Sequence, residues 1–239
     1  MAELRAQIAA IERGGAVRRE AVSLGLPGLD AALPEGGLAR GAVHEATGEA
    51  AGGFAAMAAG RLAGPVLWCR DAADRSMLYG PGLDAYGLGP ARVIVAHCRE
   101  RADLLWAMEE GLRTKNLAAV IGEPPGTIDL TASRRLQLAA ETGGGLGIVV
   151  NAKGGFAASA LESRWRIDPA PAGDAVRPRW RVALERCRGG ARNAHWIVER
   201  DEETGHFAVV AAPADRPAAP ATAWRRQENR QFHTPDYSR

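Results

Sequence analysis

The residues whose spacing could do chemistry lie in Gly48-Glu49-Ala50-Ala51-Gly52-Gly53-Phe54-Ala55. This segment has the frame of a phosphate-binding loop, G-x-x-x-x-G-K-[ST]. In such a loop the lysine reaches the β- and γ-phosphates and the Ser or Thr hydroxyl binds Mg²⁺. Phe54 stands at the lysine position and Ala55 at the hydroxyl position. Phe carries no charge and Ala offers no oxygen, so the frame is kept while both working side chains are gone. The chain has 29 glycines, so two at this spacing could equally mark an ordinary turn. The flanks favour the loop: Ala42–Ala46 is a strand-length run before it, and Phe54–Leu62 is rich in helix formers after it.

Other reactive side chains form no constellation. His44 sits in the strand before the loop and reads as a packed core histidine. His97 and Cys98 end another strand with no partner at ligand spacing, and no metal site is expected. No Ser/His/Asp order has a nucleophile-elbow context. Cys69, Cys98 and Cys187 are odd in number; Cys69 lies in an apolar run and reads as a buried thiol. These features suit a reducing cytoplasm. The first residues lack the apolar stretch of a signal peptide, and no apolar run approaches a membrane span.

The elements that must position the loop are legible as alternation. With 239 residues, 46% of them hydrophobic and 24% charged, the chain can bury a core. A net charge of +2 is too small to argue for nucleic acid. Pro65–Cys69, Arg92–His97, Leu117–Gly122 and Gly145–Asn151 read as buried strands. Arg101–Arg113 and Leu130–Glu141 read as helices, the second with Leu136, Leu138 and Ala139 apolar. Short apolar strands separated by helices imply an α/β fold, a mostly parallel sheet flanked by helices. After Asn151 the pattern changes. Ser163–Asp168, Arg179–Glu185, His195–Glu199 and His206–Ala211 are consecutive alternating strands, the signature of an antiparallel C-terminal extension.

Residues 1–15 are expected to hold an N-terminal helix with Leu4, Ile8 and Ile11 on one face. That stripe could pack on its own domain or meet a partner. The core is expected over residues 16–212, followed by a loosely ordered tail over 213–239, rich in Pro and Ala. The second surface candidate is the basic patch Arg164, Arg166, Arg177, Arg179, Arg181, Arg186, Arg188 and Arg192, interleaved with Trp165 and Trp180. Arg and Trp are residues of interface hot spots and of nucleic-acid sites. Alternating arginines are also what the solvated face of a sheet carries.

Ser23 to Gly41, S-L-G-L-P-G-L-D-A-A-L-P-E-G-G-L-A-R-G, resembles the segment that leads into the phosphate loop of RecA-family recombinases. The resemblance places Gly48, Gly53, Phe54 and Ala55 at that family's nucleotide site and implies a RecA-like fold. It also marks further positions. Trp68–Asp74 resembles the stretch with the catalytic glutamate in D-A-E; Ala73 takes that place, with Asp74 one residue on. Ala119–Glu123 resembles the Walker B strand, with Gly122 where the aspartate belongs and Glu123 read as a shifted acid or a solvated loop residue, the second being preferred. Val149–Lys153 resembles N-Q-x-R, with Ala152 in place of the phosphate-sensing glutamine. The resemblance therefore implies no catalytic residue, no cofactor and no enzyme activity.

Two RecA-related families fit such a site. Arg177–Gly190 resembles the R-P-x-W-x-L-x-L-x-R-x-R-G-G pattern of the ImuA family, and Trp196-Ile197-Val198-Glu199 fits the strand that follows. This second resemblance implies a cytoplasmic adapter in damage-induced translesion synthesis. Its partners would be an ImuB-like inactive polymerase relative, the associated error-prone polymerase, and RecA itself. Contact with DNA would be indirect or weak, because the loop after Asn151 offers only Lys153 and Phe156. Partner contacts would come from Leu4, Ile8, Ile11, Arg164, Trp165, Arg166, Arg179, Trp180, Arg181, Arg186 and Arg188. The alternatives are a SulA-like inhibitor of FtsZ and a nucleotide-dependent DNA-binding ATPase.

Overall fold

Apolar runs of five or six residues, each followed by a polar or glycine-containing turn and a helix, build the first half of the sheet. The computed structural model describes residues 19–152, 159–171, 177–201 and 207–211. The chain opens with a small ribbon, β1 (Ala21–Val22) against β2 (Leu38–Ala39), enclosing α1 (Pro27–Asp30). The repeating core follows: β3 (Ala42–Thr47), α2 (Ala51–Gly60), β4 (Val66–Asp71), α3 (Gly80–Asp84), β5 (Val93–Cys98), α4 (Arg101–Arg113), β6 (Ala119–Glu123), α5 (Leu130–Gly143) and β7 (Leu146–Asn151). The last four strands are β8 (Ser163–Ala170), β9 (Arg179–Cys187), β10 (Ala194–Arg200) and β11 (Phe207–Ala211).

These strands form one nine-stranded sheet in the order β11-β10-β9-β8-β3-β7-β6-β4-β5. Pairing is parallel from β8 through β3 to β5 and antiparallel from β8 to β11. The mostly parallel sheet with its antiparallel extension is thus present. Side chains packed on one face of the sheet include Phe54, Ala58 and Ala59 of α2 with Trp68, Ile148, Trp165 and Val182. On the other face, Leu104, Met108 and Leu112 of α4 and Leu136 and Ala139 of α5 pack with Val43, Val120 and Val149. The α5 helix begins at an N-cap, Asp129, whose carboxylate accepts from the Ala132 amide at 2.8 Å. It ends at Gly144 with φ 77°, a left-handed cap that glycine adopts without strain.

Two expectations are corrected, and one apolar residue takes an exposed place. α2 begins at Ala51, three residues before the expected start, so the loop's second and third glycines lie in its first turn. β5 is not a buried strand: it is the sheet edge, and Ile94 and Val95 are 54% and 40% exposed. Leu138 does not join the buried stripe of α5 but is 63% exposed, because the sheet-facing side of the helix is already filled by Leu136, Ala139 and Ala140.

Candidate functional site

The loop leaves β3 through Gly48, whose φ of 91° is open to glycine alone at little strain. A Cβ there would lie 2.3 Å from the Ile167 carbonyl oxygen of β8. The loop therefore lies directly on the neighbouring strand, and the Ala50 amide donates to the same Ile167 oxygen at 3.1 Å. The Ala51 amide donates to the Gly48 carbonyl and the Phe54 amide to the Ala50 carbonyl. Amides that could cradle an anion at a helix N-terminus are in part engaged by the protein's own carbonyls.

Phe54 is 1% exposed and its ring centroid is 5.4 Å from that of Trp165. Ala55 is fully buried. A Cβ on Gly53 would lie 2.9 Å from the Trp180 ring, so this indole rests against the first turn of α2. Tyr86, Trp180 and Phe207 continue the cluster at centroid distances of 4.6 to 6.0 Å, with the Arg200 guanidinium 5.7 Å over Tyr86. The aromatic residues of the C-terminal strands thus pack the flank of the loop helix.

At the end of β6, a Cβ on Gly122 would lie 2.1 Å from the Met108 sulfur of α4. The helix occupies the space that an aspartate side chain would need. Glu123 is not a solvated loop residue. It is the last residue of β6 and pairs in register with Arg70 of β4. Trp68 Nε1 donates to its Oε1 at 2.6 Å, and Arg70 Nε donates to its Oε2 at 3.2 Å. Arg70, only 4% exposed, also donates to Asp74 Oδ2 at 2.7 Å and to the Ser76 carbonyl at 2.6 Å. The Asp74 carboxyl is pushed below its ordinary range by the amide and hydroxyl of Ser76, with Arg70 adding to the effect. Both acids near the expected catalytic positions are therefore held by one internal guanidinium.

His44 is a core histidine as expected. Its Nδ1 lies 2.6 Å from Ser163 Oγ and its Nε2 3.0 Å from the Ala39 carbonyl. Burial pushes its pKa down to about 4, against a partial upward effect of the Ala39 contact and a further downward one from Arg19. Among the described residues no His/Cys/Asp/Glu group could hold a metal ion. No described helix is long and apolar enough to cross a membrane.

The surface candidates divide. Trp165 is fully buried and Trp180 is 6% exposed, which corrects their expected place at a contact surface: strand alternation turns both inward onto α2. Arg164 lies inside as well, its Nε donating to Glu45 Oε2 at 2.7 Å with both side chains nearly closed to solvent. Arg179 pairs with Glu199. Arg186 donates to the Leu161 carbonyl at 2.6 Å, and burial beside Arg164 lowers its pKa. Arg166, Arg181 and Arg188 are exposed, with Arg166 paired to Asp168 at 2.7 Å. Leu4, Ile8 and Ile11 lie outside the described residues, as do Lys153 and Phe156. Sequence reasoning missed the Arg70–Glu123–Trp68 group; an arginine closing an otherwise apolar run was the available signal.

No family model matches the chain. Proteins named ImuA from two Caulobacter vibrioides strains, NA1000 / CB15N and CB 15, are each 40% identical to it over 248 residues, which cover 90% of this chain and 99% of theirs. The chain belongs to the ImuA family. The crystal structure of the RadB recombinase matches with a TM-score of 0.59 at 17% identity, covering 80% of this chain and all of that one. The fold of this ImuA-family chain is RecA-like. Within that fold the Gly48–Ala55 segment is packed by aromatic side chains, and Arg70 pairs internally with Glu123 and Asp74.

Proposed function

We propose that this chain is a non-catalytic adapter in damage-induced translesion DNA synthesis, holding an ImuB-like inactive polymerase relative for its error-prone polymerase. One observation carries the non-catalytic part: the position that would bear the phosphate-binding lysine is Phe54, buried against Trp165. Phosphoryl transfer rests on positioned charge and metal. Gly122 packed under Met108, and Glu123 and Asp74 held by Arg70, support the same conclusion. The family assignment supports the process. RecA is a further proposed partner, and direct DNA contact is weak. The cytoplasm is the proposed location. The exposed Arg166 of β8, Arg181 of β9 and Arg188 in the turn after β9 are the proposed contact residues.

The test is affinity capture of the tagged chain from DNA-damaged cells, read by mass spectrometry, beside a MgATP titration of the purified protein. Recovery of the inactive polymerase relative, weakened when Arg166, Arg181 and Arg188 are replaced by Glu, supports the adapter. Recovery of FtsZ without polymerases overturns it in favour of division control. ATP turnover above background overturns the non-catalytic part.

A further inference from the structure

Positive charge is concentrated on the C-terminal strands. Residues 163–200 hold nine arginines and four acids, a net charge of +5 against +2 for the whole chain, so the remaining residues are net negative. Strand alternation then sorts side chains between two faces. Trp165, Trp180, Val182, Trp196 and Val198 turn into the core on the α2 side. On the opposite face the strand register puts Arg166, Ala183 and His195 in one row and Asp168, Arg181 and Ile197 in the next. Neighbouring strands lie about 4.8 Å apart, so each row spans roughly 10 Å, and the two rows are about 7 Å apart. Arg166, Arg181 and His195 are exposed, while Ala183 and Ile197 form a small apolar floor between them.

The acids of this face are already engaged. Asp168 accepts from Arg166 Nε at 2.7 Å. Glu199 accepts from Arg179, and Arg177 lies 3.6 Å from its other oxygen. Arg181 in the middle of the face, and Arg188 and Arg192 in the turn after β9, are exposed and form no ion pair among the described residues. The face therefore carries positive charge that nothing in its own strands matches.

A nucleic-acid strand suits this surface poorly. The tryptophans of β8, β9 and β10 point inward, so no aromatic ring of theirs can stack a base, and Asp168 and Glu199 would stand against phosphates. Carboxylates on a protein suit it better. Guanidiniums spaced along a sheet pair with separate carboxylates in bidentate fashion, and a floor of Ala183 and Ile197 takes an apolar side chain between them.

We infer that the open face of β8–β10 receives an acidic segment of a protein partner, whose carboxylates meet Arg181 and Arg188 beside Arg166, and whose apolar side chain covers Ala183 and Ile197. The contact rests on the adapter reading for the existence of a partner. It adds what that partner must present, a run rich in Asp and Glu with an apolar residue among them.

The test places the photoreactive residue p-benzoylphenylalanine at the exposed position of His195 in the full-length chain. Irradiation of DNA-damaged cells is followed by mass spectrometry of the joined peptide. The expected product is a partner peptide in which Asp and Glu outnumber Lys and Arg. Its yield is expected to fall at least about tenfold with Arg181→Glu and to stay within about twofold with Arg181→Lys. Arg181 is exposed, so both variants should melt with the parent chain. A neutral or basic peptide, a peptide of this same chain, an adduct with DNA, no adduct at all, or a yield that Arg181→Glu leaves unchanged overturns the acidic contact. An acidic peptide from a protein unrelated to polymerases leaves the contact standing and ends the adapter reading. A basic peptide from the inactive polymerase relative does the reverse.

Discussion

Arg70 and Glu123 face each other across β4 and β6 in register, the guanidinium Nε 3.2 Å from the carboxylate. Arg70 has 5% of its side chain exposed and Glu123 23%. Charges withdrawn from water in this way are held by pairing and hydrogen bonds, and losing one partner strands the other. Arg70→Met is therefore expected to lower unfolding free energy by about 3 kcal/mol, with Glu123→Gln costing less because Trp68 keeps an acceptor. Urea titrations of the two variants check the order; equal and negligible losses would contradict it.

Reinstating the missing loop residues should fail. Phe54→Lys removes a buried ring and places an ammonium against Trp165, a loss of at least about 4 kcal/mol. The double variant Phe54→Lys, Ala55→Thr is expected to melt earlier and to show no MgATP binding by calorimetry. Recovered micromolar binding in a stable variant would show that the loop retains its old function.

Gly48→Ala tests the contact between the loop and β8. The new Cβ would meet the Ile167 carbonyl at 2.3 Å at a backbone angle unsuited to alanine. The expected cost is about 2–3 kcal/mol. Gly52→Ala, where a Cβ meets nothing within 4 Å, is expected to be near neutral in the same thermal melt.

His44 gives the stability a pH signature. Its folded pKa, pushed to about 4 by burial, lies below the ordinary value of 6.5. Between these values the unfolded chain takes up a proton that the folded chain does not, so stability falls as pH falls. The loss approaches about 3 kcal/mol near pH 4 and does not grow below it. Above pH 6.5 the contribution is constant. Denaturation of wild type and His44→Gln across pH 4 to 7.5 should show a steeper slope for wild type, the difference isolating His44 from the titrating carboxylates.

Burial raises the Cys69 and Cys187 thiols to about 12 and raises Cys98 as well. In native protein at pH 8 all three should react slowly with a disulfide reagent, and fast once denatured. Cys98, 8% exposed on the edge strand, is expected to react first, by peptide mass mapping.

Most elements were legible because their residues repeat at the period of the structure they form. Arg101–Arg113 is a helix over the same span in sequence and structure, and the strands from β6 to β11 differ only at their ends. The missed features depend on distant residues. β5 reads as apolar, and nothing local says that it lies at an edge. Glu123 is ambiguous until Arg70, 53 residues earlier, is placed beside it. Trp165 and Trp180 were legible as inward-facing from alternation alone, yet their residue type drew them toward a surface role. Phe54 shows the reverse: its type exposed the altered loop, while only the fold shows that Trp165 fills the space beside it.

The central position of β3 bears on how the chain can be made. Its partners, β7 and β8, follow much later, and Glu45 and Arg164 are 119 residues apart. On a ribosome, the nascent chain completes β3 long before either neighbour exists, so the middle of the sheet closes late and slowly. A message truncated before β8 would leave β3 with one bare edge in the most apolar part of the molecule, a template for association with other unfinished chains.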